Sequence, residues 1–186
     1  MEDAAKDETL QVAHNGCPSK GSMDIFVEPV RPQPELLVCG SGPVASALLR
    51  IASSFGFSLL LCGEIEHAIV DQQYVSLVEM NSAAPTAVDR YVVVATQGNG
   101  DVATLTAALK MTATYIAFVG SRRKFASYEG KLANAGVSAA KIATVKSPAG
   151  VNINAVTPDE IALSIMAEII QTRRVAGQQR AIDDVC

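Results

Sequence analysis

From Glu35 onward, short apolar runs alternate with stretches in which apolar residues return at helical spacing. Leu36–Cys39, Ser58–Cys62, Tyr91–Thr96 and Tyr115–Val119 are near-continuously apolar, as strands buried on both faces should be. Weaker strand patterns stand at Tyr74–Val78 and Ile142–Val145. Between them, Val44, Leu48, Ile51, Ala52 and Phe55 keep the helical rhythm up to Gly56, and Leu105, Ala108, Leu109 and Thr112 keep it after Asp101. Phe125, Tyr128, Leu132 and Ala135 mark a helix over Arg122–Ala135 that closes at Gly136. A last helix is announced by Thr157 as cap, Pro158 at its first position and Asp159 and Glu160 in its first turn, with Ile161, Ile165 and Ile169 on its apolar face.

Strands that alternate with helices of this length pair in parallel through right-handed crossovers. The expected fold is therefore α/β: a Rossmann-like, doubly wound, mostly parallel sheet in a single domain over residues 35–175. Residues 1–22 are polar and broken by Gly16, Pro18 and Gly21, and are expected to form a flexible tail. Residues 23–34 read as a short edge strand at Met23–Val30 followed by a connector stiffened by Pro29, Pro32 and Pro34, and residues 176–186 as a carboxyl-terminal tail.

Composition narrows the class. With 186 residues, 49% of them hydrophobic and 18% charged, the chain has enough apolar surface for one core and is not a disordered polymer. No apolar run is long enough to span a bilayer and no basic start precedes one, so neither a membrane span nor a secretory signal is expected, and the cytoplasm is the default location. A net charge of −4 argues against a nucleic-acid partner. That average conceals a basic stretch between Ser121 and Lys146, in which Arg122, Arg123, Lys124, Lys131, Lys141 and Lys146 face a single acid, Glu129.

In a doubly wound sheet ligands bind beyond the carboxyl ends of the strands, so the loops there carry the candidate chemistry. Gly40-Ser41-Gly42-Pro43-Val44-Ala45 is a GxGxxA between a strand and a helix. Its glycines let backbone amides approach a phosphate at the helix start; the alternative is a tight turn that holds nothing. An NAD binder would place an acid at the end of the second strand, where this chain reads Cys62-Gly63-Glu64. The loop Thr96-Gln97-Gly98-Asn99-Gly100-Asp101 offers side-chain amides and hydroxyls, although Asn99-Gly100 is ordinary turn chemistry and Asp101 reads as a plain helix cap. In Gly120-Ser121-Arg122-Arg123-Lys124, three cations fall in a first helical turn, against the helix dipole. An anionic ligand or an acidic partner surface would compensate them; exposed cations screened by salt are the alternative.

His14 and His67 fall in weakly patterned segments, and no nucleophile–base set can be drawn through them. Cys17, Cys39, Cys62 and Cys186 lack metal-site spacing. Cys39 and Cys62, at the ends of neighbouring strands, could meet a ligand but read first as small buried residues, and the accessible thiol of Cys17 is either incidental or reactive.

The succession MDIFVEP, LLVCGSGPVASAL, YVVVATQGNGD, FVGSRRK and SPAGVNINAVTPDEIALSIMAEI resembles the carboxyl-terminal Rossmann domain of the XdhC/CoxI family, from about Cys17 to Arg174. The resemblance implies an accessory or maturation factor, a chaperone rather than an enzyme. Such a factor binds molybdenum cofactor, as molybdopterin or its cytosine dinucleotide form, supports its sulfuration and delivers it. The implied partners are an apo molybdenum hydroxylase of the xanthine dehydrogenase or aerobic carbon monoxide dehydrogenase type and a cysteine desulfurase. An additional amino-terminal domain present in many relatives would come from a separate polypeptide or a second copy in a homodimer. The cofactor-binding residues expected are Gly40, Ser41, Gly42, Pro43, Val44, Glu64, Thr96, Gln97, Gly98, Gly120, Ser121, Arg122, Arg123 and Lys124, with the glycine loop and the basic cluster on one rim. Two other readings stay open at this stage: an NAD(P)-binding oxidoreductase, and a scaffold that docks the hydroxylase without binding a ligand.

Overall fold

The computed structural model describes residues 32–77 and 89–183, with side chains through residue 177. The expected tail, the strand at Met23–Val30, His14, Cys17 and Cys186 lie outside these residues. The elements run β1 (Glu35–Cys39), α1 (Pro43–Ala52), β2 (Ser58–Cys62), β3 (Gln72–Tyr74), β4 (Arg90–Val94), α2 (Asp101–Lys110), β5 (Tyr115–Phe118), α3 (Arg122–Asn134), α4 (Ala139–Ala143) and α5 (Pro158–Asp183). The five strands form one all-parallel sheet in the order β3-β2-β1-β4-β5, the Rossmann-like α/β arrangement expected.

Because successive strand residues point to opposite faces, each apolar run serves two cores. Leu36, Val38, Tyr91 and Val93 face α1 and α5, whose Leu48, Ala52, Ile165 and Ile169 complete the first core. Leu37, Cys39, Val92 and Val94 face the other way and pack with Leu105 of α2, Leu132 of α3 and Ile142 of α4. At the amino end of the sheet, register partners Glu35 and Arg90 form an ion pair at 2.7 Å, which lets Arg90 sit at 4% exposure.

Three elements depart from the expectation. α1 stops at Ala52, so Phe55 lies beyond it and is partly exposed. The strand expected at Tyr74–Val78 lies earlier, at Gln72–Tyr74. There the Asp71 carboxylate accepts from the Leu59 amide at 2.6 Å and fixes a polar edge strand that a hydrophobic pattern cannot reveal. The strand expected at Ile142–Val145 is instead the end of helix α4, opened by Ser138, whose hydroxyl accepts from the Lys141 amide. Only Lys146 pairs with β5, as an isolated bridge to Ala117. Lys146 donates to Ile116 O and accepts from Phe118 N, each at 2.9 Å. The next residue in parallel register to donate would be Pro148, which has no N–H, and the ladder ends there.

α5 opens on a complete capping box. Thr157 Oγ1 accepts from Glu160 N at 3.3 Å, and Glu160 Oε2 accepts from the Thr157 and Val156 amides at 2.9 and 2.8 Å. These amides hold the Glu160 carboxyl below its usual pKa range. The helix runs past residue 175 to Asp183. Among the described residues, no helix is long and apolar enough to cross a membrane.

Candidate functional site

α1 leaves β1 toward one face of the sheet and α2 leaves β4 toward the other, so a crevice opens between the carboxyl ends of these neighbouring strands. Gly40 shapes it. Its φ is +137°, and a Cβ there would lie 2.6 Å from the Ala95 carbonyl carbon, which allows the glycine loop to pass directly over the end of β4. Gly63 has φ +148° and would bring a Cβ within 2.8 Å of Gly40 O. Ser41 Oγ closes this loop pair by accepting from the Glu64 amide at 3.0 Å.

The result is a cleft of about 490 Å³, lined by Gly40, Ser41, Gly42, Gly63, Thr96 and Gln97, with Asn99, Thr104 and Val75 on its outer walls. α1 begins beside it on Gly42, without a side-chain cap and without an acid in its first turn. By contrast α3, α4 and α5 are each capped by a hydroxyl of their own, from Ser121, Ser138 and Thr157. The first-turn amides of α1 thus keep their hydrogen-bonding capacity and partial positive charge. Gln97, itself at φ +54°, lies against Gly42, where a Cβ would come within 2.5 Å of its side-chain amide carbon.

Cys39 and Cys62, register partners on β1 and β2, also line this cleft as thiols outside any disulfide. The hydrogen bond to Cys62, and then burial, push the Cys39 thiol well above its usual pKa. Cys39 is therefore a poor nucleophile at neutral pH. In a Cys17→Ser, Cys186→Ser background, Ellman's reagent at pH 7.5 should label Cys62 first and Cys39 much more slowly; equal rates would contradict this geometry.

Between α2 and α3 stands a buried acid. Asp101, 2% exposed, is the first residue of α2 rather than its cap, which is Gly100. Its carboxylate accepts from the Thr96 hydroxyl, from Gly98 N at 2.9 Å and from Tyr128 OH at 2.9 Å, and pairs with Lys124 Nζ at 2.7 Å. Burial works to raise its pKa, but these donors outweigh it and the net shift is downward. The same pair raises the Lys124 pKa. One of the three first-turn cations is thus compensated inside the protein.

A second, larger cleft of about 1020 Å³ opens beyond β5. Gly120, Ser121 and Arg122 form one wall and residues 147–155 another. Gly120 fits closely: a Cβ there would lie 2.9 Å from Cζ of Phe118.

The expected site residues are accordingly distributed. Gly40, Ser41, Gly42, Thr96 and Gln97 meet in the first cleft; Gly120, Ser121 and Arg122 lie in the second. Pro43 is the first residue of α1 and Val44 packs against the first core. Gly98 serves Asp101, Lys124 pairs with it, and Arg123 is exposed. Glu64 is exposed and outside the cleft lining, and Gly63 stands where a ribose-binding acid would be needed. His67 is exposed, with Glu66 as its neighbour at 3.6 Å. Sequence reasoning passed over Asn99 and Thr104, the residues Ser147, Asn152, Asn154 and Glu168, and the role of Asp101. The SPAGVNIN block carried the signal for Ser147, Asn152 and Asn154. Among the described residues, no three His, Cys, Asp or Glu side chains are arranged to hold a metal ion.

The family model described as the XdhC Rossmann domain matches residues 36–169. The chain belongs to the XdhC family. This XdhC chain is 29% identical to the uncharacterized protein YqeB of Escherichia coli K12 over 180 residues, covering 89% of this chain and 33% of that protein. It is 26% identical over 161 residues to a probable xanthine dehydrogenase subunit of Bacillus subtilis 168, covering 81% and 46%. The crystal structure of a xanthine dehydrogenase from Bacillus halodurans superposes with a TM-score of 0.63 at 27% identity, covering 77% of this chain and 44% of that one. The XdhC chain thus spans less than half the length of each.

Proposed function

We propose that this XdhC domain is an accessory factor for a molybdenum hydroxylase and that its glycine-loop cleft holds the phosphate end of molybdenum cofactor, as molybdopterin or its dinucleotide form, before sulfuration and insertion. One observation carries the placement: at the switch point of the sheet, α1 starts on a glycine with no cap and no acid. The first-turn amides would take the phosphate, and Ser41, Thr96, Gln97 and Asn99 would hydrogen-bond the rest of the tail. The Gln97 side chain lies over Gly42, so a guest would meet its amide beside the uncapped first-turn N–H groups, a donor set that fits a phosphate. The relative named as a probable xanthine dehydrogenase subunit supports the choice of partner.

Among the described residues, the ionisable side chains in the cleft lining are the Cys39 and Cys62 thiols, and Cys39 is held protonated by Cys62 and burial, which suits a site that holds and releases a molecule. The absence of an acid at position 63 disfavours nicotinamide dinucleotides. Parallel calorimetric titrations with isolated molybdenum cofactor, NAD and NADP test the reading. The cofactor should bind, and Gly42→Asp, which supplies both a cap and a repelling charge, should weaken it by about tenfold or more. Tight nicotinamide binding without cofactor binding would overturn the proposal. So would salt-sensitive capture of the apo-hydroxylase by a protein that binds neither, which is the scaffold outcome.

A further inference from the structure

We propose that the cleft beyond β5 is a second small-molecule site, one that takes an organic phosphate of up to nucleotide size. The site does not depend on what fills the glycine-loop cleft. Three independent features converge on it.

The first is charge. Lys124 is neutralised by Asp101, but Arg122 and Arg123, in the same first turn of α3, have no ion pair among the described residues. Arg122 lies on the wall of this cleft and Lys146 lies on it as well, likewise without an ion pair among those residues. Glu168 is the carboxylate in the lining, and its Oε2 is already occupied by Tyr115 OH at 2.5 Å and Gly150 N at 2.8 Å. Against that one carboxylate the lining sets two cations, a guanidinium and an ammonium, whose fields favour an anion.

The second is an unmet hydrogen bond. Ser147 Oγ, in the lining, is out of solvent and has no partner among the described residues. Buried hydroxyls are normally paired, and rotation of the Ser147 side chain toward the cleft would let a phosphate oxygen or a ligand hydroxyl complete this one. Asn152 and Asn154, in the same wall, add side-chain amides.

The third is volume and polarity. About 1020 Å³ is twice the glycine-loop cleft and exceeds what an inorganic anion fills. Val119, Val145, Val151, Ile153 and Ile161 provide an apolar side to the space, whereas among the described residues its lining has no aromatic ring to stack on a base. The chemistry is therefore that of an anionic head recognised by charge and an apolar body recognised by burial.

The test uses the full chain and two probes, inorganic phosphate and phenyl phosphate, followed by phosphorus NMR line broadening at low salt. Phenyl phosphate should bind more tightly than phosphate. The double substitution Arg122→Ala, Lys146→Ala should weaken it at least tenfold, and Ser147→Ala should weaken it several-fold with an unchanged circular dichroism spectrum. Gly42→Asp closes the other cleft to phosphate, so these titrations are made in that background, where phenyl phosphate should still bind. Binding of neither probe at millimolar concentration would overturn the proposal, as would binding that survives loss of Arg122 and Lys146. Loss of binding in Gly42→Asp alone would place the phosphate in the glycine-loop cleft and refute a second site, whereas failure of this site leaves the cofactor titrations untouched.

Discussion

Replacing Gly40 by Ala is expected to destabilise the protein by about 2–6 kcal/mol, which a urea titration followed by tyrosine fluorescence would register as a clear fall in midpoint. Two costs combine. At φ +137° an L-residue is strained, a penalty of about 1–3 kcal/mol. In addition the new methyl would sit 2.6 Å from the Ala95 carbonyl carbon and closer still to its oxygen, in backbone that cannot swing aside as a side chain could. Relieving that overlap means parting β1 from β4, the pair that Ala95 N ties to Cys39 O at 2.7 Å, at a cost of about 1–3 kcal/mol. Gly42→Ala is the control. Its φ of −88° suits any residue, and the group in the way is the flexible Gln97 side chain, so a loss under about 1 kcal/mol is expected. Equal effects at the two positions would show that the loop is not held by this close approach.

The contrast between these two glycines bears on what a sequence can disclose. That Gly40-Ser41-Gly42 forms a strand-to-helix turn is local information, and so is the near-continuous apolar run of β1 or β2; both were readable from residues adjacent in the chain. β3 was not, because its register comes from Asp71 bonding to Leu59 across twelve positions, while its own residues, Gln72 and Gln73, are polar and exposed. Ile142–Val145 misled for a different reason. The apolar residues are there because α4 buries Ile142 in the second core, and the single proline that stops strand pairing lies just beyond them.

At the site the same division holds. The glycine loop and Gln97 meet, since β1 and β4 are neighbours. The basic cluster follows β5, one strand farther out and roughly 10 Å from β1 at ordinary strand spacing, and α3 turns its residues to two destinations: Arg122 to the second cleft and Lys124 to Asp101. Three cations opposing a helix dipole did signal that an anion was needed. Nothing in the local pattern told that one such anion was the protein's own, twenty-three positions earlier, in a residue that looks like a helix cap.

Asp101→Ala should therefore cost about 3–5 kcal/mol at pH 7, through tertiary contacts that the sequence left hidden. The substitution strands the Tyr128 and Thr96 hydroxyls, the Gly98 amide and the Lys124 ammonium together, and removes the one acceptor that joins the β4 loop to α2 and α3. Asp101→Asn keeps an acceptor oxygen and should cost less, although its amide nitrogen then faces donors. The pH dependence follows from the direction of the shift. The folded pKa lies below the ordinary value of 3.8, so this carboxylate contributes its stabilisation above 3.8 and loses it as pH falls through the folded value. Urea midpoints of the wild type and Asp101→Asn should accordingly differ most at neutral pH and converge below about pH 3.8, with the Glu160 contribution common to both and cancelling in the comparison. A gap that stays constant from pH 7 to pH 2.5 would show that the charge on Asp101 does not stabilise the fold, and that Lys124 requires some other partner.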